Sequence, residues 1–345
     1  MEGDKINRIR FLLICIVVLT SITTPAIAEL SEDQKIAIIY ASDMPVIGLK
    51  KVGGYPELAS ALQKNTSTFF LFGGNSLAPS PLSSLDRGTH IIDILNSLEP
   101  DAMSVTKREF SYFEDELSLR AYEAAFPIVT SNVYDKRSKA NVDGLLSTVI
   151  VEQRDVKVGI ISVLDESAIS DYLLKQVVIL DPQKAITTSA QALREQGADV
   201  LVLMYSFNFS FIDQLLTNQV VDLTMSTSPL FTSFLNEKMP KHPNAVVLNK
   251  LNYLAEIHLE FTGRPSTAPR VTWTSKELSS FPSDPIVAGQ VKGYTSRLNR
   301  LLNQPIATVT KDFQTLRTSV RSEENAFANL VADTLRTFAN ADIAL

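Results

Sequence analysis

The sequence predicts an α/β protein built in layers, and three observations predict it. Short β-branched apolar runs alternate with longer amphipathic stretches from Lys35 to Met225, the pattern produced when strands of one period and helices of another follow each other along a chain. Gly, Pro, Asn and Asp bracket the apolar runs and end each one. The chain is 45% hydrophobic and 20% charged over 345 residues, which supplies a large core and suits one large or two ordinary domains.

Taken in order, residues 1–28 read as an export signal that is removed. Lys5, Arg8 and Arg10 make a basic start, Phe11 to Leu19 is an unbroken apolar run, and Ala26-Ile27-Ala28 is a small-x-small cleavage site before Glu29. The run is short of the roughly 20 residues a membrane span needs. Cleavage takes the net charge from -6 to -7 and removes Cys15, the single cysteine, so no disulfide forms afterwards. The expectation is a periplasmic or secreted protein with no membrane attachment after cleavage.

Strands are expected at Lys35 to Tyr40, Thr68 to Phe72, Ala102 to Val105, Ile128 to Thr130, Val158 to Ser162, Val200 to Met204 and Leu223 to Met225. Between them, Tyr55 to Lys64, His90 to Leu98, Asp115 to Ala125, Pro182 to Gln196 and Phe211 to Gln219 place apolar residues three and four apart and read as helices, one of them stopped by Gly197. Ala245 to Phe261 reads as an edge hairpin turning at Asn249 to Asn252. Turn-rich segments at 263–266 and 279–285 close the first domain, and Ile286 to Leu302 predicts a helix leading out of it. From Pro305 onward the sequence predicts a strand, a helix at Glu324 to Phe338 and a second strand opening at Asp342. The apolar stripe of that helix, Phe327, Leu330, Val331 and Leu335, calls for burial.

An acidic chain with an aromatic fraction of 8% lacks the cationic face and the stacking platform that nucleic-acid binding needs, so nucleic acid is not an expected partner.

Several short segments carry a resemblance. Ser42-Asp43, Gly53-Gly54, Gly73-Gly74-Asn75, Asp101-Ala102-Met103, Phe126-Pro127, Ser131-Asn132-Val133, the run Val156 to Ile161, Gly197-Ala198-Asp199-Val200, and Arg321-x-x-Glu324-x-x-Phe327 through Asp333 stand in an order that resembles the secreted bacterial 5′-nucleotidase and UDP-sugar hydrolase family. The resemblance implies a metallophosphoesterase-like four-layer sandwich, two mixed β-sheets flanked by helices, followed by the start of a 5′-nucleotidase C-terminal domain. The implied boundaries are 1–28 signal peptide, 29–285 metallophosphoesterase-like domain, 286–304 linker helix and 305–345 a truncated C-terminal domain.

That family holds two divalent metal ions through five motifs, because a dinuclear site must polarise a phosphoryl group and deprotonate a water. Against Asp-x-His this chain has Asp43-Met44-Pro45. Against Gly-Asp it has Gly74-Asn75, an amide in place of the bridging carboxylate. Against Gly-Asn-His-Glu it has Thr106-Lys107-Arg108-Glu109, with two cations where a ligand and a histidine are implied. The fourth motif's histidine falls at Ser206, and Gly-His-x-His reads Ser226-Thr227-Ser228-Pro229. Asp43 is the one ligand-type carboxylate retained, and hard divalent cations are held by charged oxygens or imidazoles in number. No bound metal cofactor is therefore expected. The three histidines, His90, His242 and His258, stand outside the motifs.

The vestigial positions are thus Asp43, Asn75, Lys107, Arg108, Glu109, Ser206, Thr227 and Pro229, with Lys107 and Arg108 the candidates for holding a small anion. They also suit a plainer role, neutralising Asp43 and Glu109. Three readings follow: an exported non-catalytic relative that binds an anion or a protein partner, a metal-dependent phosphohydrolase or 5′-nucleotidase acting in nucleotide catabolism, and a non-functional truncated product.

Overall fold

A computed structural model describes residues 33–48, 52–63, 68–206, 209–227, 239–262, 269–305 and 307–344. The proposed signal segment lies outside them, as does Pro229. The chain divides into two compact units, one ending at Leu298 and one spanning Asn299–Leu345.

The first unit opens with β1 (Asp33–Ala41), α1 (Tyr55–Gln63), β2 (Thr68–Phe72), α2 (Ser83–Asp86), α3 (Thr89–Leu98) and β3 (Ala102–Ser104). It continues through α4 (Phe113–Glu123), β4 (Ile128–Val129), β5 (Val133–Asp135), β6 (Thr148–Gln153), β7 (Val156–Val163), α5 (Ser167–Asp171) and β8 (Val177–Ile179). Then come α6 (Pro182–Glu195), β9 (Val200–Tyr205), α7 (Ile212–Thr217), β10 (Leu223–Thr227), β11 (Ala245–Leu248), β12 (Tyr253–Thr262), β13 (Arg270–Glu277) and α8 (Pro285–Leu302), whose last turn, from Asn299, is counted in the second unit.

Two mixed sheets result. The first runs β13-β12-β1-β2-β3-β4, antiparallel from β13 to β1 and parallel from β1 to β4. The second runs β11-β10-β9-β7-β6, parallel except for the β6–β7 pair. β5 and β8 form a small antiparallel ribbon.

Side-chain alternation shows how the layers stack. Ile36, Ile38 and Tyr40 of β1, Phe69 and Leu71 of β2, and Val200, Val202 and Met204 of β9 share one buried cluster between the two sheets. The alternate residues Ile39, Phe70 and Phe72 pack instead with Leu58, Ile91 and Leu95 of α1 and α3. Leu201 and Leu203 pack with Ile186, Leu193 and Leu215 of α6 and α7. Both faces of each central strand are therefore covered, which is why these strands are apolar at every position rather than at every second one. The order is helix, sheet, sheet, helix, the four-layer sandwich that the resemblance implies.

Helix boundaries follow local chemistry. Asp181 caps α6 by accepting from the Lys184 N–H at 2.7 Å, with Pro182 at the first helical position where its missing N–H costs nothing. Asp284 caps α8 in the same way, accepting from Ile286 N at 3.0 Å and Val287 N at 2.9 Å. Val287 and Val291 of α8 are buried and Tyr294 donates to Asp93 at 2.9 Å, so the first turns of the expected linker helix pack on the first unit.

Two expectations are corrected. Ala245 to Phe261 is not a hairpin: β11 edges the second sheet beside β10 while β12 lies between β1 and β13 of the first, and residues 249–252 carry the chain from one sheet to the other. The apolar periodicity is the same for a hairpin and for a sheet-to-sheet crossing, so it does not tell them apart. In the second unit the described residues form no strand at all. They form α9 (Arg317–Ser322) and α10 (Ala326–Ala339).

Asn325 caps α10, accepting from the N–H groups of Phe327 and Ala328 and donating to Gln314 O. The rings of Phe313 and Phe327 sit 6.1 Å apart. The rest of the stripe is exposed, Leu330, Val331 and Leu335 each by about half and Phe338 by 89%. Among the described residues no helix is long and apolar enough to cross a membrane.

Candidate functional site

The site lies beyond the C-terminal ends of β1, β2 and β3, where an open α/β sheet leaves room for a ligand. β1 delivers Asp43, β2 delivers Gly74 and Asn75, and β3 delivers a short 3-10 turn, Lys107–Phe110. The loops are tied to each other by the backbone. Gly73 N donates to Ala41 O at 2.8 Å and Asp43 N to Gly74 O at 3.0 Å. Asp43 and Asn75 both hold positive φ, at 59° and 61°. Asp and Asn tolerate that left-handed region better than other side chains. Gly74 has no alternative: its φ is 72°, and a Cβ there would lie 2.3 Å from Ser104 O.

The turn after β3 organises the rest. Thr106 accepts from Arg108 N at 3.3 Å while Glu109 accepts from Thr106 N at 2.8 Å, a reciprocal capping box. Glu109 does more than cap. Its carboxylate, almost wholly buried, also accepts from Thr106 Oγ1 at 2.6 Å, Asn75 N at 3.0 Å, Ser76 N at 2.8 Å and Leu77 N at 3.3 Å. It therefore fills the nest of amides presented by residues 75–77, as a bound anion would.

Arg108 reaches across to Asp43, with Nη1 2.8 Å from Oδ1; the two side chains are 23% and 4% exposed. Burial pushes the Asp43 carboxyl above its usual range; Arg108 opposes that shift and the Glu109 charge adds to it. Among the described residues Arg108's guanidinium bonds Asp43 alone. Lys107 turns away and pairs with Asp171, at the end of α5, at 2.6 Å on the surface. Of the two anion-binding candidates, Arg108 alone lines the cavity beside Asp43.

That cavity encloses about 270 Å³. Met44, Pro45, Val46, Pro79 and Leu251 form apolar walls, and Asp43, Arg108 and Asn252 supply its polar groups. Sequence reasoning missed Asn252 and Leu251 because the 249–252 segment reads as a distal hairpin turn; the one usable signal was that a sheet-to-sheet crossing brings that turn to the strand ends.

The remaining positions are not among the residues that line this cavity, or stand undescribed. Ser206 follows β9 and is half-buried, and Thr227 ends β10, with its side chain and Pro229 outside the described residues. Beside them, burial pushes the Tyr205 hydroxyl up to about 12. The three histidines are scattered. His90 is fully buried in α3 against Asp86, His242 accepts from Asn244 N, and His258 is exposed on β12.

The donor set does not fit a pair of divalent cations. Asp43 is committed to a guanidinium, Asn75 offers a neutral amide whose Oδ1 accepts from Thr106 at 3.2 Å, and both Glu109 oxygens are taken by N–H and O–H donors. Among the described residues no group of three His, Cys, Asp or Glu is gathered for a metal ion.

Comparison with known proteins agrees with the layers. No protein-family model matches the chain. The fold is that of calcineurin-like phosphoesterases and 5′-nucleotidases. The chain is similar to the calcineurin-like phosphoesterase YfkN of Bacillus subtilis, with TM-score 0.67 and 17% identity over 79% of this chain and 100% of that one. It is similar to a 5′-nucleotidase precursor from Thermus thermophilus, with TM-score 0.68 and 16% identity over 89% of this chain and 67% of that one. In sequence it is 25% identical over 221 residues to "Protein 5NUC" of Lutzomyia longipalpis, a match that covers 56% of this chain and 38% of that relative.

Proposed function

We propose that this 5′-nucleotidase-like, metallophosphoesterase-fold protein is a non-catalytic relative that is exported through its N-terminal segment and uses the old catalytic cleft to bind a ligand. The observation that carries this reading is the Arg108–Asp43 ion pair. The guanidinium supplies a positive charge beside Asp43, where the resemblance implies a metal ligand, and it consumes the one ligand-type carboxylate retained.

The chemistry follows from the donor set. Hydrolysis of a phosphate ester in this fold needs a Lewis acid to polarise the phosphoryl group and to generate hydroxide near neutral pH. Arginine can polarise a phosphoryl oxygen, but its guanidinium keeps its proton and generates no hydroxide. Ser206 and Ser226 offer no substitute route, since no histidine stands beside them in sequence to accept a proton. What the site does retain is a concave cavity lined mostly by apolar side chains with a few polar groups among them, the usual form of a small-molecule site.

The test is turnover of a generic phosphate monoester and of a nucleoside monophosphate by the purified protein with excess Mn²⁺, Mg²⁺ or Zn²⁺. The reading expects no hydrolysis above background from a folded sample. Turnover abolished by a chelator would return the protein to the metal-dependent phosphohydrolases.

A further inference from the structure

We propose that the cavity beside Asp43 and Arg108 takes a small neutral ligand, one end of which both donates and accepts hydrogen bonds, as a primary carboxamide does, and the other end of which is apolar. This rests on reading the cavity as a binding site rather than a catalytic one. It differs from the phosphate that the fold's relatives suggest.

The charges argue first. Of the charged groups, Arg108 and Asp43 line the cavity and pair with each other, Glu109 is held by the amides of residues 75–77, and Lys107 is paired away with Asp171. The lining is neutral in sum, so a phosphate dianion arriving here finds Asp43 beside it and no net positive charge to offset its desolvation. A cationic ligand meets the opposite obstacle, because Arg108 itself lines the cavity and its remaining N–H donors have no acceptor among the described residues.

The hydrogen-bonding groups argue second. Asp43 is an acceptor, Arg108 is a donor, and the Asn252 amide is both, with no side-chain hydrogen bond of its own among the described residues. A neutral head with one carbonyl and one N–H set satisfies all three without adding net charge. A bare carboxylate leaves Asp43 facing a second anion, and an alcohol supplies fewer donors than a carboxamide. The walls argue third. Met44, Pro45, Val46, Pro79 and Leu251 surround about 270 Å³, room for a short aliphatic body that gains from leaving water.

The test is a series with one tail and four heads: pentanamide, pentanoate, pentylammonium and pentyl phosphate, titrated into the full chain while the backbone amides of Met44 and Asn252 are followed by NMR. The expected result is saturable binding of pentanamide, tighter than each charged analogue by at least about ten-fold, one bidentate set of hydrogen bonds gained against one charge left unmatched. Leu251→Trp, at a half-exposed position that tolerates a larger side chain, fills the cavity and abolishes binding without loss of fold. Arg108→Lys keeps the charge and lowers affinity. Preference for pentanoate, pentylammonium or pentyl phosphate overturns this inference, as does failure of every probe to saturate; neither outcome touches the non-catalytic reading. Release of phosphate from pentyl phosphate overturns both.

Discussion

The Arg108 guanidinium donates to Asp43 Oδ1 at 2.8 Å across a gap of 65 residues in sequence, joining the turn after β3 to the loop after β1. The contact makes Arg108 an internal counter-ion. Asp43 is nearly inaccessible to solvent, and a buried carboxylate without a partner either takes up a proton or destabilises the fold.

Arg108→Met removes that partner and is expected to cost on the order of 2 kcal/mol, below the figure for a fully buried pair because Arg108 is 23% exposed. Urea denaturation at neutral pH measures it. The double variant with Asp43→Asn should recover much of the loss, since no unpaired charge is then left behind.

Glu109→Gln keeps the size of the side chain and turns one acceptor oxygen into an NH₂ group. It faces the N–H groups of Asn75, Ser76 and Leu77, so about 1–3 kcal/mol should be lost. Amide hydrogen exchange checks the location: protection should fall at residues 75–77 and hold in β9.

Gly74→Ala forces a side chain onto a φ of 72° and into Ser104 O. Strain of this kind costs about 1–3 kcal/mol, and the thermal midpoint should fall with no change in the far-UV spectrum at low temperature.

Asp284 carries the acid dependence of α8. The Val287 N–H, with Gln63 and the Ile286 N–H, holds its carboxyl below the usual range. A depressed folded value means that the stabilisation is fully present above the unfolded carboxyl's range and is lost as pH falls through the folded value. Wild type should exceed Asp284→Asn in stability at pH 7, and the gap should narrow as the pH is taken down to 3. Asp43 works in the opposite sense: with its value raised, its contribution is fully present below the unfolded range and is lost as pH rises through the folded value.

Much of the fold was legible because the central strands of both sheets are buried on both faces. Residues 69–72 and 200–205 are hydrophobic throughout and stand out against polar helices, and Pro182 after Asp181 marks a helix start in plain sequence. Less visible were β5, β6, β8 and β13, which are short, half-exposed or polar on one face, so they lack a continuous run. The tail's domain assignment came from the resemblance, with strands expected on either side of its helix; the helix is present, no strand forms among the described residues, and the apolar stripe that called for burial is largely exposed.

The site was legible residue by residue and opaque as a constellation. The identities of Asp43, Asn75 and Arg108 come from the sequence, yet no spacing says that Arg108 turns inward while its neighbour Lys107 turns out to Asp171. That choice is made by the capping box of Thr106 and Glu109, a local hydrogen-bond pattern that fixes which face of the turn each side chain leaves from.

The most direct measurement is calorimetric titration of Mn²⁺ and Zn²⁺ into the protein, with wild type and Arg108→Ala side by side. The account predicts no saturable site in wild type and no pair of sites in the variant, since Asn75 and Glu109 stay committed after Arg108 is gone. Two equivalents bound tightly by wild type would contradict it, and would mean that Asp43 exchanges its guanidinium for a metal.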